Sequence, residues 1–262
     1  MEPTRLQYDA SHWTREADER KALDQYLRLG ARAFNKTAIE LITSMTGEVS
    51  GKRILDYGGG AGIMAIAYAK AGANVVLVDA EANALRTAQY YARQQGVENR
   101  LQTIHSEAFP SSLKSERFDI VLAKDVIEHI QDDQQFLTDL SACQHRGGRL
   151  LLSTQNSRSL TYLVEGTYQK HWRGNTGWCG WDQTHLRFYT AASLGAKLQK
   201  AGYRAERWSS VYLVPYNILS WLFLLKVEIE LPVLRYCDLS IGRIFPFNRL
   251  GWNIIVRAAR EA

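Results

Sequence analysis

Short apolar runs alternate with longer amphipathic segments between residues 51 and 156. Buried strands of a parallel sheet read as nearly continuous apolar runs, because helices cover both faces of such a sheet. The spacing leaves room for a helix between successive runs. The pattern therefore predicts an α/β domain with a parallel sheet, whose strands are 53–57 (RILDY), 75–79 (VVLVD), 101–105 (LQTIH), 118–123 (FDIVLA) and 149–154 (RLLLST).

The flanking regions have a different character. Helical periodicity predicts an N-terminal helical cap over residues 1–50, ahead of a core at 51–156. Residues 157–190 are rich in aromatic side chains and form a predicted substrate cap. Residues 191–262 complete the sheet, with a helix near 191–201, a strand near 203–210, an apolar insertion at 211–250 and a final strand at 252–259.

Composition and charge argue against some classes of function. The chain has 262 residues, of which 46% are apolar and 23% charged, and its net charge of +5 is dispersed. Dispersed charge of this size does not indicate a nucleic-acid partner. Three widely spaced cysteines form no metal pattern, and the first residues (MEPTRLQYDASHW) lack the apolar centre of a signal peptide. These features predict a cytoplasmic protein.

The segment ILDYGGGAG at 54–62 predicts a ligand loop after the first strand. Gly58, Gly60 and Gly62 leave the backbone open to close approach, and N–H groups at the start of a helix near Ile63 favour an electronegative group. Asp79 ends the second strand, where an acid accepts the hydroxyls of a ribose. The ligand therefore contains a nucleoside, and Gly60-x-Gly62-x-x-Ala65 also fits a dinucleotide.

The full string Asp56-x-Gly58-x-Gly60-x-Gly62, with Asp79 downstream, resembles the first motifs of class I S-adenosylmethionine-dependent methyltransferases. That resemblance implies a doubly wound, seven-stranded, mostly parallel sheet whose last strand is antiparallel. It also implies S-adenosylmethionine as cofactor. The residues it assigns to cofactor binding in this region are Asp56, Gly58, Gly60, Gly62, Asp79 and Ala80.

Within that superfamily the chain is most similar to the ubiquinone-biosynthesis O-methyltransferases. LDYGGGAGIMA resembles their LD-x-G-C-G-x-G-x-L, with Gly59 at the cysteine position, and LLSTQN resembles their Ser-Thr-x-Asn. HSEAFP at 105–110 is similar to their third-strand motif, which implies adenine contacts from Glu107 and the Ala108 amide. Lys124 takes the place that borders the cofactor. Glu107 can also be read as a solvated loop acid.

Asp125-x-x-Glu128-His129 is the first candidate for chemistry. On a helix, residues at i, i+3 and i+4 share one face, and Asp125 and His129 are candidate catalytic residues there. Some ubiquinone-pathway enzymes use an acid-x-x-Glu-His set to hold Mg²⁺, so the resemblance implies a possible magnesium site. The alternative is that Asp125 caps the helix and no metal binds.

His185 is the second candidate, in GWCGWDQTHLRFYT at 177–190. An imidazole accepts a proton near neutral pH, so His185 is a candidate catalytic base. The alternative is a structural histidine that ties the cap to the core through Asp182. Nearby aromatic side chains are expected to form an apolar wall for the acceptor: Trp178, Trp181, Phe188 and Tyr189.

The insertion at 211–250 carries the run VYLVPYNILSWLFLL, which Pro215 interrupts and Lys226 follows. It is too short for a membrane span, which needs about 20 apolar residues. We read it as an apolar lid or interfacial segment that contacts lipid. The alternative reading is a homodimer interface or an extra core layer.

These features predict O-methylation of a hydroxyl on a hydrophobic, prenylated or lipid-linked acceptor, with peripheral membrane contact through residues 211–250. One alternative is a sugar or small-molecule O- or N-methyltransferase that dimerises through the insertion. A second is a non-catalytic scaffold with a methyltransferase fold. The intact glycine loop and Asp79 argue against the scaffold, which has no need to retain them.

Overall fold

A computed structural model describes residues 12–178, 180, 182, 184–218 and 230–261. Within these residues seven strands form one sheet in the order β3-β2-β1-β4-β5-β7-β6. The first five are parallel, and β7 is antiparallel to both β5 and β6. This topology confirms the predicted fold class. The strands are β1 Arg53–Tyr57, β2 Asn74–Asp79, β3 Leu101–His105, β4 Phe118–Lys124, β5 Gln144–Gln155, β6 Tyr203–Val211 and β7 Asn253–Arg260.

Four of the described helices, α1, α5, α6 and α7, begin at residues whose side chains cap them. Asp18 accepts hydrogen bonds from two backbone N–H groups of α1, and Thr190 forms a capping box with Ser193 at α7. None of the described helices has both the length and the apolar character needed to cross a membrane. The helices are α1 Glu19–Ala31, α2 Ala33–Thr46, α3 Ile63–Lys70, α4 Ala82–Gln95, α5 Asp133–Ala142, α6 Leu160–Thr167, α7 Ala191–Lys200 and α8 Arg235–Ser240.

Two apolar layers lie on opposite faces of the sheet. Successive residues of a strand point to opposite faces, so Ile54 packs in one layer and Leu55 in the other. The layer containing Ile54 includes α2, α3 and α4, and the layer containing Leu55 includes α5 and α7. Burial on both faces explains why the core strands read as continuous apolar runs.

The chain after β4 departs from the sequence prediction. Asp125 has a φ of 55°, in the left-handed region, and a single 3₁₀ turn at Ile127–His129 follows it. The next α-helix begins only at Asp133, where Asp132 caps it. The prediction that Asp125, Glu128 and His129 share one helical face is therefore wrong. Asp125 does not cap a helix either, because Asp132 caps α5 and the Asp125 carboxylate accepts hydrogen bonds from Lys124, Ser153 and Asn253.

The two late segments meet the core at defined points. Residues 184–190 return along the end of β5, where Asn156 and Tyr189 form a parallel bridge. In the insertion, the carboxylate of Asp238 on α8 accepts hydrogen bonds from the N–H groups of Tyr212 and Leu213. Residues 219–229, which carry the second part of the predicted interfacial run (219–225), lie outside the described residues. The proposed division of the chain into domains stays a prediction.

Candidate active site

The loop after β1 has a backbone that only glycine adopts readily. Gly58, Gly60 and Gly62 have φ values of 72°, 59° and 78°, all in the left-handed region. A Cβ on Gly58 would lie 2.5 Å from the side chain of Val126, so the structure also leaves no room for a side chain at this position. The loop therefore presents its backbone at the carboxyl end of β1, as the sequence predicted.

Gly59 packs directly against Asp56. A Cβ at Gly59 would lie 2.6 Å from the Asp56 carboxyl group and 2.4 Å from Leu77. The glycine here, where the similar enzymes carry cysteine, therefore makes room for the Asp56 side chain.

Asp79 holds the glycine loop through its carboxylate. One oxygen accepts from the Gly60 N–H at 2.8 Å and the other from the Glu81 N–H at 2.9 Å. Burial raises the pKa of Asp79, and these hydrogen bonds oppose the rise. Each carboxylate oxygen keeps a second lone pair for a ligand hydroxyl. Ala80 follows at the strand end, where its carbonyl lies 3.0 Å from His105 Nε2.

A cavity of about 250 Å³ lies between the glycine loop and the N-terminal helices. Asp56 is buried beside it, with one carboxylate oxygen lacking any hydrogen-bond partner among the described residues. Burial, together with the charge of Asp79, raises the pKa of Asp56 to about 7. A cationic ligand group would favour the ionised form. Lining residues include Asp56, Gly58, Gly60, Lys124, Tyr26 and Asn35.

The N-terminal helices contribute residues that the sequence analysis did not assign. The Tyr26 hydroxyl donates to the Gly59 carbonyl at 3.2 Å and accepts from the Ile63 N–H at 3.4 Å. Burial raises the pKa of Tyr26, so the hydroxyl keeps its proton. The helical periodicity of residues 1–50 was visible in the sequence, but the face that turns toward the loop depends on tertiary packing.

Glu107 and Ala108 are exposed and do not line the cavity. They follow the end of β3, beside β2, where Asp79 pairs with His105 in register. The Ala108 carbonyl accepts from Ser106 Oγ at 2.7 Å. Their predicted contacts with adenine stay a prediction.

Asp125 belongs to a polar network formed with residues of β4, β5 and β7. Its carboxylate accepts from Lys124 Nζ at 2.5 Å, Ser153 Oγ at 2.9 Å and Asn253 Nδ2 at 2.6 Å. Burial alone would raise the pKa of Asp125, but the Lys124 ammonium and these hydrogen bonds lower it. These partners use the oxygens that the predicted magnesium set would need, so the residues do not fit that set.

A different group of ligand-type side chains does come together. Each of Glu128, His129 and His185 offers one ligand atom, and these atoms lie within 4.8 Å of one another. Glu128 is fully buried, and its Oε2 accepts from Thr154 Oγ1 at 2.9 Å. Its Oε1 has no partner within the described ranges. Burial, reinforced by the charge of Asp125, raises the pKa of Glu128 to about 8.

His185 reaches this group because the cap is bonded to the turn after β4. The Leu186 N–H donates to the Glu128 carbonyl at 2.9 Å, and the rings of His185 and His129 are 4.7 Å apart. His185 Nε2 lies 3.6 Å from an Asp182 oxygen, while its buried Nδ1 has no partner in the described part of the chain. Burial lowers the pKa of His185, so the imidazole is neutral near pH 7.

Aromatic side chains lie next to the histidines, as the sequence partly predicted. The Phe188 ring is 5.8 Å from His185 and 4.8 Å from Tyr162, which is also 5.2 Å from Trp178. Tyr189 instead belongs to the core, where its hydroxyl donates to Asp133 at 2.7 Å. Trp181 lies outside the described residues. Tyr162 and Trp252, whose ring is 5.7 Å from Phe188, were missed because both lie outside the motif at 177–190.

Comparison with protein families decides the assignment. The model of a methyltransferase domain matches residues 15–207, well over half of the chain. The chain belongs to this family. It is an S-adenosylmethionine-dependent methyltransferase, as the glycine loop and Asp79 predicted, and the alternative that Gly60-x-Gly62-x-x-Ala65 binds a dinucleotide is set aside.

Relatives of this methyltransferase include several ubiquinone biosynthesis O-methyltransferases. The enzyme of Aeromonas salmonicida is 29% identical over 213 residues, which cover 79% of this chain and 83% of the relative. The mitochondrial enzyme of Schizosaccharomyces pombe is 36% identical over 142 residues, covering 53% of this chain. The match spans about half of that relative's length, 52%.

Solved structures show the same fold at low identity. Magnesium protoporphyrin IX methyltransferase of Synechocystis, with bound S-adenosylhomocysteine, has a TM-score of 0.60 at 16% identity, covering 93% of this chain and 96% of that one. The [4+2]-cyclase SpnF has a TM-score of 0.58 at 18% identity, covering 86% and 80%. Since a cyclase shares the fold, the fold alone does not define the reaction.

Proposed function

We propose that this methyltransferase transfers a methyl group from S-adenosylmethionine to a hydroxyl of a hydrophobic acceptor. The observation that carries the proposal is the neutral, buried imidazole of His185, which lies next to aromatic side chains and whose Nδ1 has no partner among the residues that the structure describes. The names of the relatives support oxygen as the acceptor atom.

The cofactor is proposed to occupy the carboxyl edge of the sheet. Its amino-acid end would enter the cavity between Asp56 and Lys124, and its ribose would bond to Asp79. Glu107 and the Ala108 amide would contact adenine beyond the end of β3. This placement uses the open carboxyl ends of β1 to β4, where α/β sheets bind ligands.

The acceptor hydroxyl would lie beside His185 and attack the methyl carbon. The new C–O bond forms as the C–S bond breaks, and S-adenosylhomocysteine leaves. The hydroxyl proton passes to the imidazole, which is available because burial keeps it unprotonated. His129, whose Nδ1 lies 3.1 Å from Thr184 Oγ1, would help to orient the ring.

Apolar surface supports a hydrophobic or lipid-linked acceptor. On α6 and the π-helical turn that follows, one face exposes large apolar side chains at helical spacing, and Trp172 is 81% exposed. In the insertion, Phe245 is 70% exposed, and Arg249 lies 5.5 Å from its ring. Apolar side chains beside cations suit a membrane surface with anionic lipid. The exposed face of α6 and the π-helical turn comprises Leu160, Leu163, Val164, Tyr168 and Trp172.

Two matched acceptors and one variant test the proposal. A prenylated catechol and the same catechol without the prenyl chain would be methylated with radiolabelled cofactor, and we expect preference for the prenylated form. His185→Gln should lower kcat by about 100-fold or more while leaving cofactor affinity nearly unchanged. His171→Gln is the matched control, since His171 is exposed on the cap.

Faster turnover of the short catechol, or of a sugar hydroxyl, would favour the small-molecule alternative, and a stable homodimer would assign the apolar surface to self-association. Unchanged kcat in His185→Gln would remove His185 from the mechanism. Absence of methyl transfer to any hydroxyl, with cofactor binding intact, would favour the scaffold.

A further inference from the structure

Glu128, His129 and His185 form a cluster of metal-ligand side chains that the cofactor does not need. We propose that this cluster binds a divalent transition-metal ion of the zinc class, not magnesium. The residues are shared with the proposed function, but metal binding does not depend on methyl transfer. The proposal rests on the geometry of the cluster, on its unpartnered atoms and on the chemistry of its donors.

The cluster is assembled by backbone contacts between two distant segments. Glu128 and His129 belong to the 3₁₀ turn after β4, and His185 comes from the cap. The Leu186 N–H bonds to the Glu128 carbonyl at 2.9 Å, and Arg187 Nη1 donates to the Ile130 carbonyl at 2.9 Å. These bonds hold the two segments side by side, so the three donors are near one another before any ion binds.

Two donor atoms in the cluster are buried without a partner. Glu128 Oε1 and His185 Nδ1 are both shielded from water, and neither has a hydrogen-bond partner among the described residues. Glu128 has no exposed surface at all. Buried polar atoms in native proteins almost always have a partner, so two orphans in one cluster indicate a missing ligand.

The donor set indicates which ion. Magnesium prefers oxygen ligands in octahedral geometry, whereas two imidazoles and one carboxylate suit zinc and related metals. Asp125, the additional oxygen donor expected for magnesium, is bonded to Lys124, Ser153 and Asn253. Bound tetrahedral ligands lie about 3.4 Å apart, given zinc–ligand bonds of about 2.1 Å. Small side-chain rotations would close the present separation of up to 4.8 Å.

A bound ion would keep at least one coordination position open, since the described residues supply three ligands. Such an ion lowers the pKa of a coordinated hydroxyl, which is the change that methyl transfer to oxygen needs. In the metal-free protein the His185 imidazole remains the proton acceptor. The ion would also link the cap to the turn after β4.

The experiment measures metal binding without cofactor or acceptor. Metal-free protein would be titrated with ZnCl₂ against a competing chromophoric chelator, and with CoCl₂ to record ligand-field absorption. We expect about one ion per chain, weakened at least 10-fold in His185→Gln and in Glu128→Gln. Asp125→Asn is the matched control, because it removes a carboxylate from the magnesium pattern but not from the cluster.

The zinc affinities of these variants decide whether the cluster is the metal site. No zinc binding to the wild type, or zinc binding unchanged in both His185→Gln and Glu128→Gln, overturns it. Loss of binding in Asp125→Asn with retention in His185→Gln would also overturn it and support the acid-x-x-Glu-His set. Circular dichroism and S-adenosylhomocysteine binding would verify the fold of each variant. If Glu128→Gln fails to fold, His185→Gln decides. Methyl transfer by the metal-free protein tests the proposed function separately.

Discussion

The cofactor half and the proposed acceptor half of this methyltransferase differ in how far the protein's own hydrogen bonds and packing already hold their functional groups. In the cofactor half, the carboxylate of Asp79 accepts hydrogen bonds from N–H groups of the backbone it organises, and one buried oxygen of Asp56 faces the cavity without a partner among the described residues. In the acceptor half, His185 keeps a buried nitrogen without a partner in the described residues, and Trp172 and Phe245 expose most of their surface. The cofactor loop is therefore preorganised, whereas the acceptor side has the features of a surface that awaits a ligand or partner.

This difference can be tested on one scale, the affinity for S-adenosylhomocysteine or S-adenosylmethionine measured by calorimetry. Substitutions in the preorganised half should lower the affinity for the cofactor, and most strongly where they remove a predicted contact with it. Changes on the exposed surface of the other half should leave it nearly unchanged.

The largest loss is expected for Asp79→Ala. The change removes the predicted ribose acceptor and also the carboxylate that holds the Gly60 N–H. Affinity should fall about 100-fold or more, since hydrogen bonds to a charged group contribute about 1.5–3 kcal/mol each. Asp79→Asn, which keeps one acceptor oxygen, should lose less. Equal affinity in the wild type and Asp79→Ala would contradict the assignment of the ribose site.

A smaller loss is expected for Gly59→Ala. The new Cβ would meet Asp56 and Leu77 below 3.0 Å, and overpacking of this kind costs about 1–3 kcal/mol. Gly177→Ala is the matched control in the cap, because no atom of the described residues lies within 4 Å of a Cβ there. Thermal unfolding and calorimetry should both separate the two variants. Similar behaviour of the pair would mean that the loop tolerates a side chain.

The pH dependence of binding should be modest and should trace to Asp56. Its pKa rises from 3.8 to about 7 because of burial and the charge of Asp79. The cofactor is cationic at its sulfonium and ammonium groups, so affinity should increase about 10-fold between about pH 6 and about pH 8, as Asp56 ionises. Asp56→Asn should flatten this profile. A wild-type profile that is already flat would exclude Asp56 as the titrating group.

The same shift has an opposite effect on the free protein. The native state keeps the Asp56 proton to higher pH than the unfolded chain does. The Asp56 contribution to the free energy of unfolding should therefore be largest below about pH 4 and be lost as the pH rises to about 7. Denaturant unfolding of wild type and Asp56→Asn across this range would measure the difference.

The smallest change in cofactor affinity is expected for Trp172→Glu combined with Phe245→Glu. Both side chains are exposed, so stability should change by less than about 0.5 kcal/mol for each substitution. Flotation with anionic liposomes should nevertheless fall sharply if this surface contacts lipid. Arg173→Gln, next to Trp172 in the cap, would measure how much positive charge contributes to liposome binding. Wild-type protein that never floats would remove the membrane from the proposal.

Local patterns were sufficient to predict the cofactor half. Apolar runs predicted β1 to β5, and the glycine loop with Asp79 predicted the strand ends that face the cofactor. The strand limits changed mainly at β5, which begins at Gln144 because pairing with β4 resumes beyond an irregularity in register. These signals can be read from one sequence because a strand covered on both faces needs an apolar run, and a loop with positive φ angles needs glycine.

The contacts between distant segments could not be predicted. Tyr26 covers the glycine loop only through the packing of α1, and His185 joins Glu128 only because the cap returns along β5. The left-handed conformation of Asp125 separated residues that a helix would have aligned. Spacing within one segment indicates neither a tertiary partner nor a conformation that most residue types avoid.

The position of β7 has a consequence for the order in which the protein is made. Because β6 pairs only with β7, and β7 lies between it and β5, β6 has no place in the sheet until β7 has been translated. The five parallel strands can pair as they leave the ribosome, but β6 must wait for residues 253–260. A ribosome-stalled chain that ends before β7 should therefore be far more sensitive to protease in residues 203–211 than in residues 51–156.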